Sequence, residues 1–147
     1  MELPTCLSIV IKDNEVLMIE KKRGLGKGLL TFPGGKIENE TSYECALREL
    51  EEEVNVKGYD PLYAGRILFK QENGYVISMY VYLIRKFSGV IKETDEAKPF
   101  WQRTDDIPYA RMWQDDRFWL YKVLSGKIVD CVFTFSNDWS EIMEGYC

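Results

Sequence analysis

Apolar and polar positions alternate along most of this chain, and the alternation predicts strands. Residues 3–11, LPTCLSIVI, read as one strand. Asp13-Asn14 turns the chain, and Val16 to Ile19 return as the second arm of a hairpin. Leu29 to Phe32 are extended and lead through Pro33 to Gly34-Gly35. Residues 62–70 and 75–87 form two more strands across Glu72-Asn73-Gly74, since Asn-Gly is a strong hairpin signal. The second of these is apolar almost throughout and belongs in the middle of a sheet. Gly58 to Pro61 read as a turn, and Ser88-Gly89 as a strand break. Short strands follow at residues 98–101 and 128–135, with turns at Ile107-Pro108 and 136–138 and a final strand in the tail.

The period changes to helical twice. Tyr43, Leu47, Leu50 and Val54 predict one buried stripe. Thr41 with Glu44 three residues on reads as a capping box at its start. Phe118, Leu120, Tyr121 and Leu124 supply the apolar faces of a second helix, which Asp115 can cap and Gly126 ends. Strands mixed with two helices predict an α/β fold, a mixed β-sheet between helical layers. No repeat, linker or low-complexity segment interrupts residues 1–147, so one domain is expected.

The polar side of the first helix is chemically unusual. Glu49, Glu52 and Glu53 stand at i, i+3 and i+4 and share a helix face. Like charges at that spacing destabilise a helix by roughly 0.2–0.5 kcal/mol per pair. A divalent cation reverses the sign, because carboxylate oxygens are the ligands Mg²⁺ prefers. A solvated acidic face is the plain alternative.

Composition narrows the chemistry. With 147 residues, 46% of them hydrophobic and 14% aromatic, the chain can bury a core. It has no histidine, which excludes His-based acid–base catalysis and makes zinc improbable. Its charge of −5 argues against binding duplex nucleic acid or an anionic membrane. Cys6, Cys45, Cys131 and Cys147 are scattered with no close pair, and neither a signal peptide nor a membrane span is visible. Free thiols in a reducing, cytoplasmic setting are expected.

Residues 21–28, KKRGLGKG, form a basic glycine-rich loop that could cradle phosphate. It lacks Walker spacing and reads equally as a solvated loop. Trp113 with Asp115-Asp116 has two readings as well: a stacking face beside paired carboxyls, or a core tryptophan before a helix cap.

The segment 34–56 resembles the Nudix box. Counting from Gly34, Glu40, Arg48-Glu49, Leu50, Glu52-Glu53 and Val56 fall where that pattern has its typed positions. Asn55 replaces the glycine near the helix end, and Asn is the next-best residue for a left-handed cap. Counted from the second glycine, the turn is one residue shorter than the family's. The likeness continues through 21–24, 94–101, 107–108 and 112–119, matching the branch of the family that hydrolyses oxidised purine nucleoside triphosphates.

That resemblance implies a Nudix α/β/α sandwich and Mg²⁺-dependent cleavage of a nucleoside triphosphate, such as 8-oxo-dGTP, to a monophosphate and pyrophosphate. Mn²⁺ is a possible substitute. It implies metal binding by Glu49, Glu52 and Glu53 with the Gly34 carbonyl, and Glu96 near the metal. Arg48 would orient the glutamates, and Glu52, Glu53 or Glu96 would take the proton from water. Trp113 would stack on the base, with Asp115 and Asp116 on its edge. Lys21, Thr31 and Cys6 would complete the substrate site. Thr31 stands where the branch has an asparagine, and Leu25 where it has a phenylalanine. The partner implied is one small nucleotide, and a monomer is expected. Competing readings are a Nudix enzyme for ordinary nucleoside triphosphates, pyrimidine analogues or RNA 5′ ends, a non-catalytic nucleotide-binding module, and an acidic interaction domain.

Overall fold

A computed structural model describes residues 2–147. The chain runs β1 (Glu2–Lys12), β2 (Glu15–Lys21), β3 (Leu30–Thr31), β4 (Gly34–Lys36), α1 (Ser42–Val54), β5 (Lys57–Tyr59), β6 (Leu62–Gln71), β7 (Val76–Ile84), β8 (Lys86–Ser88), β9 (Ala97–Arg103), a 3₁₀ turn (Tyr109–Arg111), α2 (Asp116–Leu124), β10 (Val129–Phe135) and β11 (Ile142–Tyr146).

The main sheet has the order β11-β10-β6-β7-β1-β2-β3. Pairs β1/β7 and β6/β10 are parallel and the others antiparallel, so the sheet is mixed. As expected, β7 is central, between β6 and β1. The free edge of β1 is shared: β4 pairs with residues 5–7, and β2 pairs with its last residues. The sheet therefore splits beside β1, and the glycine pair enters at the split.

Strand alternation sorts β1 between two layers. Leu7, Ile9 and Ile11 join a core with Trp119, Leu120 and Val123 of α2. Val10 faces the other way, onto Leu50 and Val54 of α1. These layers make an α/β/α sandwich. Burying a side chain such as Leu50 stabilises the fold by about 1.5–3 kcal/mol.

Helix α1 begins as its sequence dictates. Thr41 Oγ1 accepts the Glu44 N–H at 3.1 Å, and Glu44 Oε1 accepts the Thr41 N–H at 2.9 Å. Asn55 caps the other end in the left-handed region at φ 63°. Its buried stripe differs from the predicted one. Tyr43 is exposed, while Cys45, Ala46 and Glu53 are buried with Leu50 and Val54. The helix is rotated so that small residues meet β1 and one glutamate points inward.

Other expectations need correction. Residues 57–59 are a strand, β5, paired with β8, rather than part of a turn. Arg85 ends β7, so the long apolar run splits before Ser88. Asp115 lies at the N-cap of α2 but makes no side-chain capping bond, and Phe118 and Tyr121 face solvent. The cysteines are paired: Cys6 with Cys45, and Cys131 with Cys147. Packing of α1 on β1 brings together sulfurs 39 residues apart, which spacing along the chain does not reveal. Among the described residues, no helix is long and apolar enough to cross a membrane.

Candidate active site

The inward glutamate of α1 is the start of the site. Glu53 is only 8% exposed, and its Oε1 accepts the Gly34 N–H at 3.0 Å. Its carboxyl neighbours that of Glu49, whose charge acts on it. Burial pushes Glu53 up to about 8, with the charge of Glu49 adding to the push. Burial also raises Glu49, opposed by Arg48. The glycine pair makes room for this. A Cβ on Gly35 would stand 2.6 Å from the Glu49 carboxyl carbon, and one on Gly34 would strike the Cys6 carbonyl.

Arg48 holds the neighbouring acids. Its Nε and Nη2 donate to Glu40 Oε1 at 2.9 and 2.6 Å, and its Nη1 donates to Glu49 and Glu52 at 2.9 and 3.1 Å. Nη2 also reaches the Lys36 carbonyl at 3.0 Å. One guanidinium thus ties the glycine strand to the helix. Glu40 is the fork's main acceptor, and its carboxyl is held below the usual range by Arg48.

The expected four-carboxylate cluster is not assembled. The Glu52 side chain is 60% exposed and turned to Arg48. Glu96 pairs with Arg23, Oε1 accepting from Nε at 2.9 Å. Among the described residues, no group of three or more His, Cys, Asp or Glu side chains is placed to hold an ion. Helix geometry explains Glu52, which lies a hundred degrees around from Glu53. The Glu96 segment is nonetheless pinned close by: Thr94 Oγ1 donates to the Glu53 carbonyl at 2.8 Å.

Beside the acids lies a cavity of about 170 Å³. Its floor is the sheet face that carries Thr5, Leu7, Phe69, Met79 and Phe135. Thr31, Trp113, Asp115 and Asp116 stand around it, as does Leu25 of the glycine loop. The loop closes tightly on the indole: a Cβ on Gly26 would meet Trp113 Cζ2 at 2.9 Å. Asp115 and Asp116 are 1% and 6% exposed. Trp119 Nε1 donates to Asp115 Oδ2 at 2.8 Å. Burial raises both carboxyls, Asp115 to about 6, and Asp116 well above its ordinary value because Asp115 also repels its charge. Both carboxyls line the cavity.

Lys21 joins the two halves. It lines the cavity, and its charge also acts on Glu53. Cys6 does not belong here. It is 2% exposed, bonded to Cys45, and lies on the β1 face opposite Thr5 and Leu7. The alternation of β1 decides this, and it also carried the missed signal: Thr5 and Leu7, two apart, mark the face that lines the cavity. Phe69, Met79, Phe135 and Trp139 gave no local hint, since they converge only when β6, β7 and β10 are adjacent.

The layering, a mixed sheet between α1 and α2 with Lys21 lining the cavity and acting by its charge on the acid helix, defines the chain as a mixed α/β sandwich with a carboxylate-bearing helix. Comparison with known proteins takes this to a family. The profile described as NUDIX domain matches residues 3–123, and the chain belongs to the Nudix hydrolase family. It is 34% identical over 124 residues to the oxidized purine nucleoside triphosphate hydrolases of Mus musculus and Danio rerio, covering 82% of this chain and 79% of each relative. The crystal structure of the MutT protein from Bacillus halodurans superposes with a TM-score of 0.86 at 23% identity, covering 98% of this chain and 96% of that one. That likeness supports the fold.

Proposed function

We propose that this Nudix hydrolase cleaves an oxidised purine nucleoside triphosphate, such as 8-oxo-dGTP, to the monophosphate and pyrophosphate. The observation that carries the reading is Lys21, which lines the cavity and whose charge also acts on Glu53. A base in the cavity would extend its phosphates past that ammonium toward Glu49 and Glu53. The names of the mouse and zebrafish relatives support the same substrate class.

The donor set fits a divalent cation. Two neighbouring carboxylates, all oxygen ligands, match the one or two that Mg²⁺ commonly takes from protein. Glu49 and Glu53 would hold Mg²⁺, or Mn²⁺ in its place, with the Gly34 carbonyl as a further candidate ligand. When bound, the ion supplies charge neutralisation to the phosphates and a more acidic water.

The chain's own groups do the rest. Arg48 orients Glu49 and Glu52 by donating to both. Lys21 offsets phosphate charge at the cavity mouth. Glu52 is exposed enough to take a proton from water, and Glu96 is available once Arg23 releases it. Trp113 supplies a stacking face, while Asp116 donates to the base edge and Asp115 accepts from it. Thr31 offers one hydroxyl to discriminate among purines. Residues 1–147 would act as one domain and one monomer on a small nucleotide.

The test is a panel of 8-oxo-dGTP, dGTP, dCTP and triphosphorylated RNA with pyrophosphate detection. The highest kcat/KM should fall on 8-oxo-dGTP, and Glu53→Gln should abolish turnover with Mg²⁺ while leaving the fold intact. Preference for dCTP or RNA would overturn the substrate reading. Near-normal turnover of the Glu53→Gln variant would overturn the role of the acid pair.

A further inference from the structure

Trp139 also lines the cavity, and nothing assigned above requires it to be there. The turn between β10 and β11 forces it into place. Its backbone is left-handed, φ 65°, where a bulky residue is uncommon. Such a conformation persists only where its surroundings over-determine it. Here they do. The Trp139 N–H donates to the Ser136 carbonyl at 2.9 Å. Asp138 Oδ1 accepts from Ser136 Oγ at 2.7 Å, from the Ser140 N–H at 3.0 Å and from Ser140 Oγ at 2.6 Å. Those donors hold the Asp138 carboxyl down at about 2. The turn is tied to β6 by Gln71 Nε2 on the Asn137 carbonyl, 2.7 Å, and to the Trp113–Asp116 segment by the Ile142 N–H on Gln114 Oε1, 2.9 Å.

The indole so placed is half-buried rather than sealed in the core. Its ring packs on Phe135 at 5.6 Å between centroids, inclined 53°. Trp113 meets the same Phe135 edge-to-face, at 6.4 Å and 88°. Two tryptophans thus flank one phenylalanine on the wall of a single cavity.

We infer that Trp139 is a second aromatic wall of the base pocket, selecting two-ring bases over one-ring bases. The inference rests on the reading that the cavity receives the base. The extra ring of a purine offers stacking surface that a single-ring base lacks.

Binding of nucleoside monophosphates by calorimetry tests this without turnover. For Trp139→Ala, the Kd for 8-oxo-dGMP and dGMP should rise about tenfold, a factor worth 1.4 kcal/mol, while the Kd for dCMP changes less than twofold. Trp139→Phe should recover most of the purine affinity, which separates ring stacking from damage to the turn. In turnover, Trp139→Ala should raise KM for 8-oxo-dGTP with kcat nearly unchanged. Unchanged purine affinity in Trp139→Ala, or an equal loss for purine and pyrimidine, overturns the role. Trp113→Ala separates the two levels. Loss of purine affinity there but not in Trp139→Ala removes only the second wall. No loss in either variant removes the base-pocket reading as well.

Discussion

Arg48 grips Glu40 with two nitrogens on one oxygen, Nε at 2.9 Å and Nη2 at 2.6 Å, and so clamps the turn before α1 onto the helix that carries the acid pair. The same guanidinium reaches Glu49 and Glu52. Arg48→Ala should therefore lower kcat by roughly 10–100-fold, the usual effect of removing a partner that orients a ligand. Arg48→Lys should recover only part of this, because an ammonium cannot reproduce the planar fork. Activity within twofold of the parent in Arg48→Ala would remove the positioning role.

Gly35 is needed for space, not for backbone freedom. A methyl group there falls 2.6 Å from the Glu49 carboxyl carbon. Gly35→Ala should displace that carboxylate and depress activity strongly, with a loss of stability of about 1–3 kcal/mol typical of overpacking. Gly34→Ala should be worse for folding, because its methyl meets backbone, the Cys6 carbonyl, which cannot rotate away. Chemical denaturation and kinetics on the two variants check the order.

The aspartate pair sets a pH dependence whose sign is definite. Both carboxyls are raised, so the folded protein holds protons that the unfolded chain releases near the ordinary aspartate value. Stability from the neutral form is fully present below that value, 3.8. It is lost as pH rises through the folded values, about 6 for Asp115 and higher for Asp116. Asp116→Asn keeps a donor and cannot lose a proton. Its stability relative to the parent should therefore improve as pH rises from 4 to 7. A flat difference between the two profiles would show that Asp116 titrates normally.

The cysteine pairs give a fourth expectation. Thiol titration of the denatured protein, purified without reductant, should find no free cysteine, and peptide mapping should join Cys6 to Cys45 and Cys131 to Cys147. Reduction should cost about 2–4 kcal/mol per bridge, since each bridge restrains the unfolded chain. Four free thiols would restore the expectation drawn from their spacing alone.

Local physics accounts for what could be read without coordinates. Thr41, Glu44 and Asn55 define both ends of α1 through caps that involve only near neighbours. Asn-Gly set the β6–β7 turn, and the typed spacing from Gly34 to Glu53 marked the acid helix and its family. Periodicity failed where contacts come from afar. It could not show that α1 turns Glu53 inward and Tyr43 outward, because the surface of β1 decides which face is buried. It could not separate Glu49 and Glu53 from Glu52, nor foresee that Arg23 occupies Glu96. The resemblance puts Cys6 in the substrate site, but its side chain points to the opposite face of β1, where it bonds Cys45 of α1. The cavity wall of Thr5, Phe69, Met79, Phe135 and Trp139 draws on four strands and a turn that are distant along the chain. Only the sheet order brings them together, since pairing β1 with β7 and β6 with β10 is a long-range choice that no window of sequence contains.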